Sequence, residues 1–272
     1  MEPNDPNQHL SQITTLWTMV DQAHGQDAAA VTSARQRLLE RYGGAVKKYL
    51  HGALRDPEAA EELTQEFALR FLSGKYQGAD RERGRFRNFV KGVLGHLIAD
   101  HFRKRQTQPR PLPLDGEEVR APGPDPAEVD ALFMENWRQA LLGRAWQALA
   151  EVETETGQPF HTVLRLRVDQ PEIRSLQMAE QLSAKLGKSV SAAGVRQTLH
   201  RARDRFADLL LDEVVQTLGR SAAEDLEQEL IELNLLVYCQ PALDRRLDSL
   251  GRATPGERQV RSGTAEGRAG EA

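Results

Sequence analysis

The sequence predicts an all-α protein of two small helical domains joined by a Pro-rich linker, and three observations carry that expectation. Aromatic residues make up only 6% of a 272-residue chain rich in Ala, Leu, Glu and Arg, a helix-forming composition. Apolar side chains recur at three- and four-residue steps through most of the chain, the period of helices with one packed side. Residues 106–130, QTQPRPLPLDGEEVRAPGPDPAEVD, are rich in Pro and Gly, lack an apolar period and read as a semi-extended linker. The implied order is an N-terminal extension with a short helix over 1–32, a first domain over 33–105, the linker, a second domain over 131–212, a helical extension over 213–250 and a disordered tail over 251–272.

Within the N-terminal extension, Leu10, Ile13, Trp17 and Val20 share one side of a short helix that Gly25 and Asp27 end, suited to covering an edge of the first domain. From Ser33 to Leu54 the period is kept by Leu38, Tyr42, Val46, Tyr49, Ala53 and Leu54, with Gly43-Gly44 a point of weakness. Asp56 can cap the next helix, Pro57 suits its first turn, and Glu58, Glu61 and Glu62 complement the positive end of its dipole. Leu63, Phe67 and Phe71 face inward there, leaving Glu62, Gln65, Glu66 and Leu69 as a mixed acidic and apolar outer strip, before Ser73-Gly74 stops the helix.

The loop from Lys75 to Arg83 leads to the stretch GRFRNFVKGVLGHLIADHFRKR, residues 84–105. Phe86, Phe89, Val90, Val93, Leu97 and His101 fall on one side of this helix, and Arg87, Asn88 and Lys91 look elsewhere. Arg81, Arg83 and Arg85 precede it, and Arg103, Lys104 and Arg105 occupy its last turn. Such brackets suit a helix that tracks a phosphate backbone and offers rings to unpaired bases, although on these residues alone a core helix with solvated ends is the favoured reading. Gly92, Gly95 and Ala99 cluster on the side of Asn88. Two interior glycines cost about 1 kcal/mol each relative to Ala, so either another helix or a nucleic-acid backbone approaches closely there.

The second domain opens with a stripe of Leu132, Phe133, Trp137, Leu141, Ala145, Leu149 and Val152, broken by Gly157 and Pro159. A shorter helix over 160–168 follows, then one capped by Ser175 and closed by Gly187, then one capped by Ser191. In this last helix Val195, Leu199, Ala202, Phe206 and Leu209 form the packed side, and Arg196, Gln197, His200, Arg201 and Arg203 lie opposite. Helix, glycine turn and capped basic helix make a helix-turn-helix, whose second helix enters the major groove, where Arg pairs with guanine and Gln with adenine. A solvated Arg-rich face fits the same residues. Beyond it, Leu226, Leu230, Leu233 and Val237 continue as one amphipathic helix ending near Pro241.

Net charge is −4, so any nucleic-acid binding must come from local basic patches. A single cysteine, Cys239, leaves no internal disulfide, zinc ribbon or thiol redox pair, and no window has the apolar length of a membrane span. The expected compartment is the cytoplasm. No metal-spaced His, Asp or Glu cluster, phosphate-binding glycine loop or nucleophile motif is present, so neither catalysis nor a cofactor is expected.

Taken together, PEAAEELTQEFALRFL at 57–72, ADRERGRFRNFVKGVLGHLIADHFRKR at 79–105, HTVLRLRV at 161–168 and SAAGVRQTLHRARDRF at 191–206 resemble a bacterial RNA polymerase sigma factor of the extracytoplasmic-function (ECF) group. The first domain is similar to that family's region 2, a helical bundle, and the second to its region 4, a helix-turn-helix. The resemblance implies that Glu62, Gln65, Glu66 and Leu69 dock on the clamp helices of the large subunit of core RNA polymerase. It implies that Tyr76, Asp80, Arg85, Arg87, Asn88 and Lys91 meet the minus-ten promoter element and its melted strand, with Arg103, Lys104 and Arg105 on duplex phosphates upstream. Arg196, Gln197, His200 and Arg201, with Arg203 beside them, would read the minus-thirty-five element. Promoter DNA and core polymerase are thus the expected partners, with an anti-sigma factor or another regulator a further candidate. Gly95 and His96 depart from an Arg-Asn pair common in the family, Thr198 from a basic residue, and the connection between Leu182 and Ser191 is longer than the family's turn. A stand-alone helix-turn-helix regulator that binds duplex DNA without polymerase is the alternative.

Overall fold

The computed structural model describes residues 28–76, 85–107, 125–218 and 223–252, and every regular element among them is a helix. The expected helix around Trp17, the loop that holds Asp80, most of the linker and the tail lie outside the described residues. In chain order the helices are α1 (Ala28–Leu54), α2 (Pro57–Leu72), α3 (Phe86–Thr107), α4 (Pro126–Thr156), α5 (Phe160–Asp169), α6 (Ser175–Leu186), α7 (Ala192–Gln216), α8 (Ala223–Glu232) and α9 (Leu236–Arg252).

Helices α2, α4 and α7 each start at a side-chain cap. The Asp56 side chain accepts the Ala59 N–H at 3.1 Å ahead of Pro57, and Ser191 accepts the Gly194 N–H at 3.0 Å. Helix α4 starts inside the expected linker, because Asp125 accepts the Ala127 N–H at 2.9 Å and Pro126 supplies the first turn. An apolar period places that start later, since the buried stripe begins only at Phe133. Ser175 is the first residue of α6 rather than its cap: Arg174 holds the cap position, and the Gln177 side chain accepts the Arg174 N–H at 3.1 Å. The single helix expected across Leu226 to Val237 is two. Asn234, in the left-handed region at φ 53°, turns the chain so that Leu233 and Leu235 are both buried, and Val237 is left 87% exposed. Pro241 lies inside α9, where it removes one backbone donor without ending the helix.

Two apolar cores result, and they divide differently from the two sequence segments. One joins α1, α2 and α3 to the first half of α4, the second half of α7, and α8 and α9. The other joins the end of α4 to α5, α6 and the first half of α7. Helices α4 and α7 serve both because their buried faces rotate. In α4 the buried Phe133, Trp137, Leu141, Ala145 and Leu149 are spaced by four, and each such step advances about 40° around the axis. In α7 the buried face passes from Val195, Leu199 and Ala202 to Ala207, Leu210, Leu211, Val214 and Val215, a rotation of about a third of a turn. Phe206 packs against both cores, and its ring centroid lies 4.9 Å from that of Trp146. In the first core Trp137 stacks on Tyr42 at 4.6 Å, with Phe86 and Phe133 at 6.2 and 5.9 Å. Gly52 of α1 leaves room for Leu132 of α4, since a Cβ there would overlap the Leu132 side chain.

Buried ion pairs tie the same helices together. Glu213 of α7 is 8% exposed and sits between Arg41 of α1 and Arg144 of α4, whose Nε lies 2.8 Å away. Glu229 of α8 is fully buried and accepts from Arg87 Nε and Nη2 at 2.8 and 3.0 Å and from Arg85 Nε at 2.9 Å. Glu232, one turn on, pairs with both arginines and accepts from Gln228 at 3.0 Å. The Phe86 N–H donates to the Thr217 carbonyl at 3.2 Å, so the positive end of α3 meets the negative end of α7.

Trp137→Ala should destabilise the protein by about 3–5 kcal/mol, read from the urea midpoint, because it empties the centre of the aromatic stack. Burial pushes the Glu232 carboxyl up, yet hydrogen bonds from Arg85, Gln228 and Arg87 outweigh it and hold the group down from 4.5 to about 2. A carboxylate lowered on folding stabilises the native state above its unfolded value and loses that contribution as pH falls through the folded one. The stability difference between wild type and Glu232→Gln should therefore be constant above pH 5 and shrink between 4.5 and about 2 in a pH series of urea midpoints.

Candidate nucleic-acid interface

The two basic stretches singled out by sequence end up in different electrostatic settings. On α3 the buried side chains are Phe86, Val90, Leu94 and Leu97, while Phe89 and Val93 pack at the edge. Leu94 is fully buried, one residue beyond the expected Val93. Arg87 is 6% exposed, and this corrects its placement among side chains free to meet nucleic acid. It lies on the flank of the apolar stripe, where α8 covers it; its Nη1 also points at the Met134 sulfur, 3.1 Å away. Arg85 shares the correction, being only 18% exposed within the same cluster. The period of α3 could show that neither residue belongs to the stripe, but not that an acidic helix more than a hundred residues later would lie over that flank.

The opposite face of α3 is open. Asn88, Gly92, Gly95, His96, Ala99 and Arg103 are all exposed, and they recur at helical spacing. A Cβ built at Gly92 or Gly95 would meet nothing within 4 Å, so among the described residues no helix packs on those glycines. Of the two explanations for their cost, close helix packing is removed. Lys91 borders this face, with Nζ 2.8 Å from Asp130 in a half-exposed pair. In the last turns Arg103 bonds Asp100 at 2.7 Å, Lys104 is exposed, and Arg105 Nη1 reaches Asp56 at 3.5 Å. Exposed pairs of this kind contribute little to stability and are readily exchanged for phosphate. Tyr76 is half-buried against Phe67, ring centroids 5.7 Å apart, and burial pushes its hydroxyl up to about 12. Asp80 lies outside the described residues.

The second basic helix presents its side chains as its period requires. Gly187, in the left-handed region at φ 64°, closes α6, and Ser183 Oγ takes the Val190 N–H at 2.9 Å, which fixes the turn. Val195, Leu199 and Ala202 then seat the start of α7 on the second core. Arg196, Gln197, His200, Arg201 and Arg203 are consequently all exposed along one side. His200 Nε2 lies 3.7 Å from Asp204 Oδ2, the one carboxylate among them.

On α2 the outer strip stands clear of the body. Glu62 and Gln65 are exposed, Glu66 pairs with Arg70, and Leu69 is 68% exposed. Leu72, one turn beyond and 39% exposed, extends the apolar part of the strip. Glu229 and Glu232 were also missed, although the run AEDLEQELIE, with five carboxylates and no basic residue, carried a signal. Among the described residues no helix is long and apolar enough to cross a membrane, and no group of three or more His, Cys, Asp or Glu side chains is placed to hold a metal ion.

No curated protein matches the chain, and no solved structure does. Residues 38–108 match the family model of Sigma-70 region 2, a span that runs from the first core leucine of α1 through α2 and the whole of α3. The match covers a minority of the chain and leaves the helix-turn-helix outside it. It supports a sigma-factor family for the segment that carries both the acidic strip of α2 and the open face of α3.

Proposed function

We propose that the protein is a sigma factor of the extracytoplasmic-function type, made of a region 2-like and a region 4-like module, that docks on core RNA polymerase and reads two promoter elements. The observation that carries this reading is a coincidence of two features. A segment similar to Sigma-70 region 2 is followed in the same chain by a helix-turn-helix whose second helix exposes Arg196, Gln197, His200 and Arg201 together. Neither feature alone calls for the other; a promoter-specificity subunit uses both.

In this reading the outer strip of α2 meets the clamp helices of the polymerase. Leu69 and Leu72 supply an apolar centre, and Glu62, Gln65 and Glu66 a polar rim, the composition of a protein-binding patch. The open face of α3 meets the minus-ten element. Asn88 and Lys91 present hydrogen-bond donors, Gly92 and Gly95 let a backbone come close, and Arg103, Lys104 and Arg105 neutralise duplex phosphates upstream. Stacked bases would contribute about 1–3 kcal/mol each towards opening the strands, so no chemistry is required of the protein. Helix α7 meets the minus-thirty-five element through bidentate contacts of Arg and Gln with purines. A stand-alone regulator is the second reading, favoured by the fact that α7 presents its basic face without help from any partner. Gel shifts with and without core polymerase separate the two, and tight promoter binding by the free protein would favour the second.

Glu62→Lys combined with Leu69→Arg should weaken association with core polymerase by about tenfold or more while the circular dichroism is unchanged; co-purification at wild-type yield would refute the docking assignment. Arg196→Ala and Arg201→Ala should each lose about 1–3 kcal/mol of discrimination between the cognate and a scrambled minus-thirty-five sequence, measured on the polymerase complex. Unchanged preference in both would mean that α7 does not read bases.

A further inference from the structure

Helix α8 is the least embedded of the C-terminal helices and the most acidic. Its ten residues, AEDLEQELIE, hold Glu224, Asp225, Glu227, Glu229 and Glu232 and no base. Leu226 and Leu230 fix it to the first core, whereas α9 packs along α7 far more extensively and adds pairs from Arg245 to Asp208 at 2.6 Å and from Arg246 to Asp212 at 2.7 Å. The two helices are separated by the turn at Asn234. What joins α8 to α3 is charge. Two carboxylates on successive turns meet two guanidinium groups, with three of the Arg–Glu229 contacts between 2.8 and 3.0 Å.

We propose that α8 is an internal acidic stand-in for nucleic acid, which occupies Arg85 and Arg87 in the free protein and must leave them before they can hold a strand. The inference rests on the reading of α3 as the minus-ten helix. A guanidinium fork binds carboxylate and phosphate with the same planar geometry, so a phosphate backbone can replace Glu229 and Glu232 without leaving either arginine unpaired. An apolar contact offers no such exchange. Placing the carboxylates on α8 while α9 stays bound to α7 keeps the released helix tethered beside its site, so it rebinds when the strand departs.

The test uses the full chain and a fluorescein-labelled single-stranded DNA of mixed sequence, with anisotropy read over a salt series. Glu229→Gln with Glu232→Gln should bind about tenfold more tightly than wild type at low salt. Its plot of log affinity against log salt should be steeper by roughly 1.4, the contribution of two added phosphate contacts on a single strand. Equal affinity and equal slope in a variant with native circular dichroism would overturn the proposal. Hydrogen exchange on the wild-type chain covers the case in which the variant does not fold. With core polymerase and promoter DNA bound, α8 amides should lose protection by tenfold or more while α9 amides keep theirs. A promoter complex in which α8 stays protected overturns the latch and leaves the sigma-factor reading standing. If no complex with core polymerase forms at all, the sigma-factor reading falls and the latch falls with it.

Discussion

Two long helices, α4 and α7, each bury one face against one core and a rotated face against another, and that sharing joins the two cores into one body. In α4 the rotation arises from a residue spacing of four on a helix of 3.6 residues per turn, so the stripe winds round the axis as it advances. In α7 it arises from a shift of the apolar positions between Ala202 and Ala207. Because the helices are rigid, the helix-turn-helix built on the second core is held in a fixed relation to α3 on the first. Trp146 and Phe206 fill the crossover, and Trp137 carries the first core's aromatic stack to Tyr42 and Phe86.

Charge then decides which basic side chains are available. Arginines are abundant along the chain, but carboxylates on α7 and α8 draw four of them inward. Glu213 holds Arg41 and Arg144, and Glu229 with Glu232 holds Arg85 and Arg87. Buried pairs of this kind contribute little net stability compared with apolar packing, yet removing one partner costs about 3–5 kcal/mol because a charge is stranded. They consequently fix geometry and mask charge more than they strengthen the fold. The side chains left on exposed faces of α3 and α7 include, among the described residues, Asn88 and Arg103 on the first and Arg196, Gln197, His200, Arg201 and Arg203 on the second.

The outward faces of α2 and α3 lie within the segment similar to Sigma-70 region 2, and that of α7 lies outside it. The strip on α2 has an apolar centre at Leu69 and Leu72 suited to a protein, the glycine face of α3 is open to close approach, and the start of α7 is polar and convex as a groove-reading helix must be. Each surface lies on a different helix, so the docking and the two DNA contacts proposed for them do not compete for the same side chains.

The sequence by itself determined whatever depends on neighbours within a few residues. Asp56, Pro57, Ser191 and Gly187 set helix ends through local hydrogen bonds and backbone freedom, and the spacing of Leu38, Tyr42, Val46 and Tyr49 set the buried face of α1. The exposed side of α7 was legible for the same reason, since Val195, Leu199 and Ala202 leave only one direction for Arg196, Gln197 and His200. Only the tertiary structure decided the fate of Arg85 and Arg87 and the division of α4 between two cores. Both depend on contacts between residues far apart in the chain, whereas the break between α8 and α9 is local, made by the left-handed Asn234 and the Leu235 N–H donating to the Leu230 carbonyl at 2.8 Å; a helical period records which side of a helix is apolar but not what comes to lie against its flank.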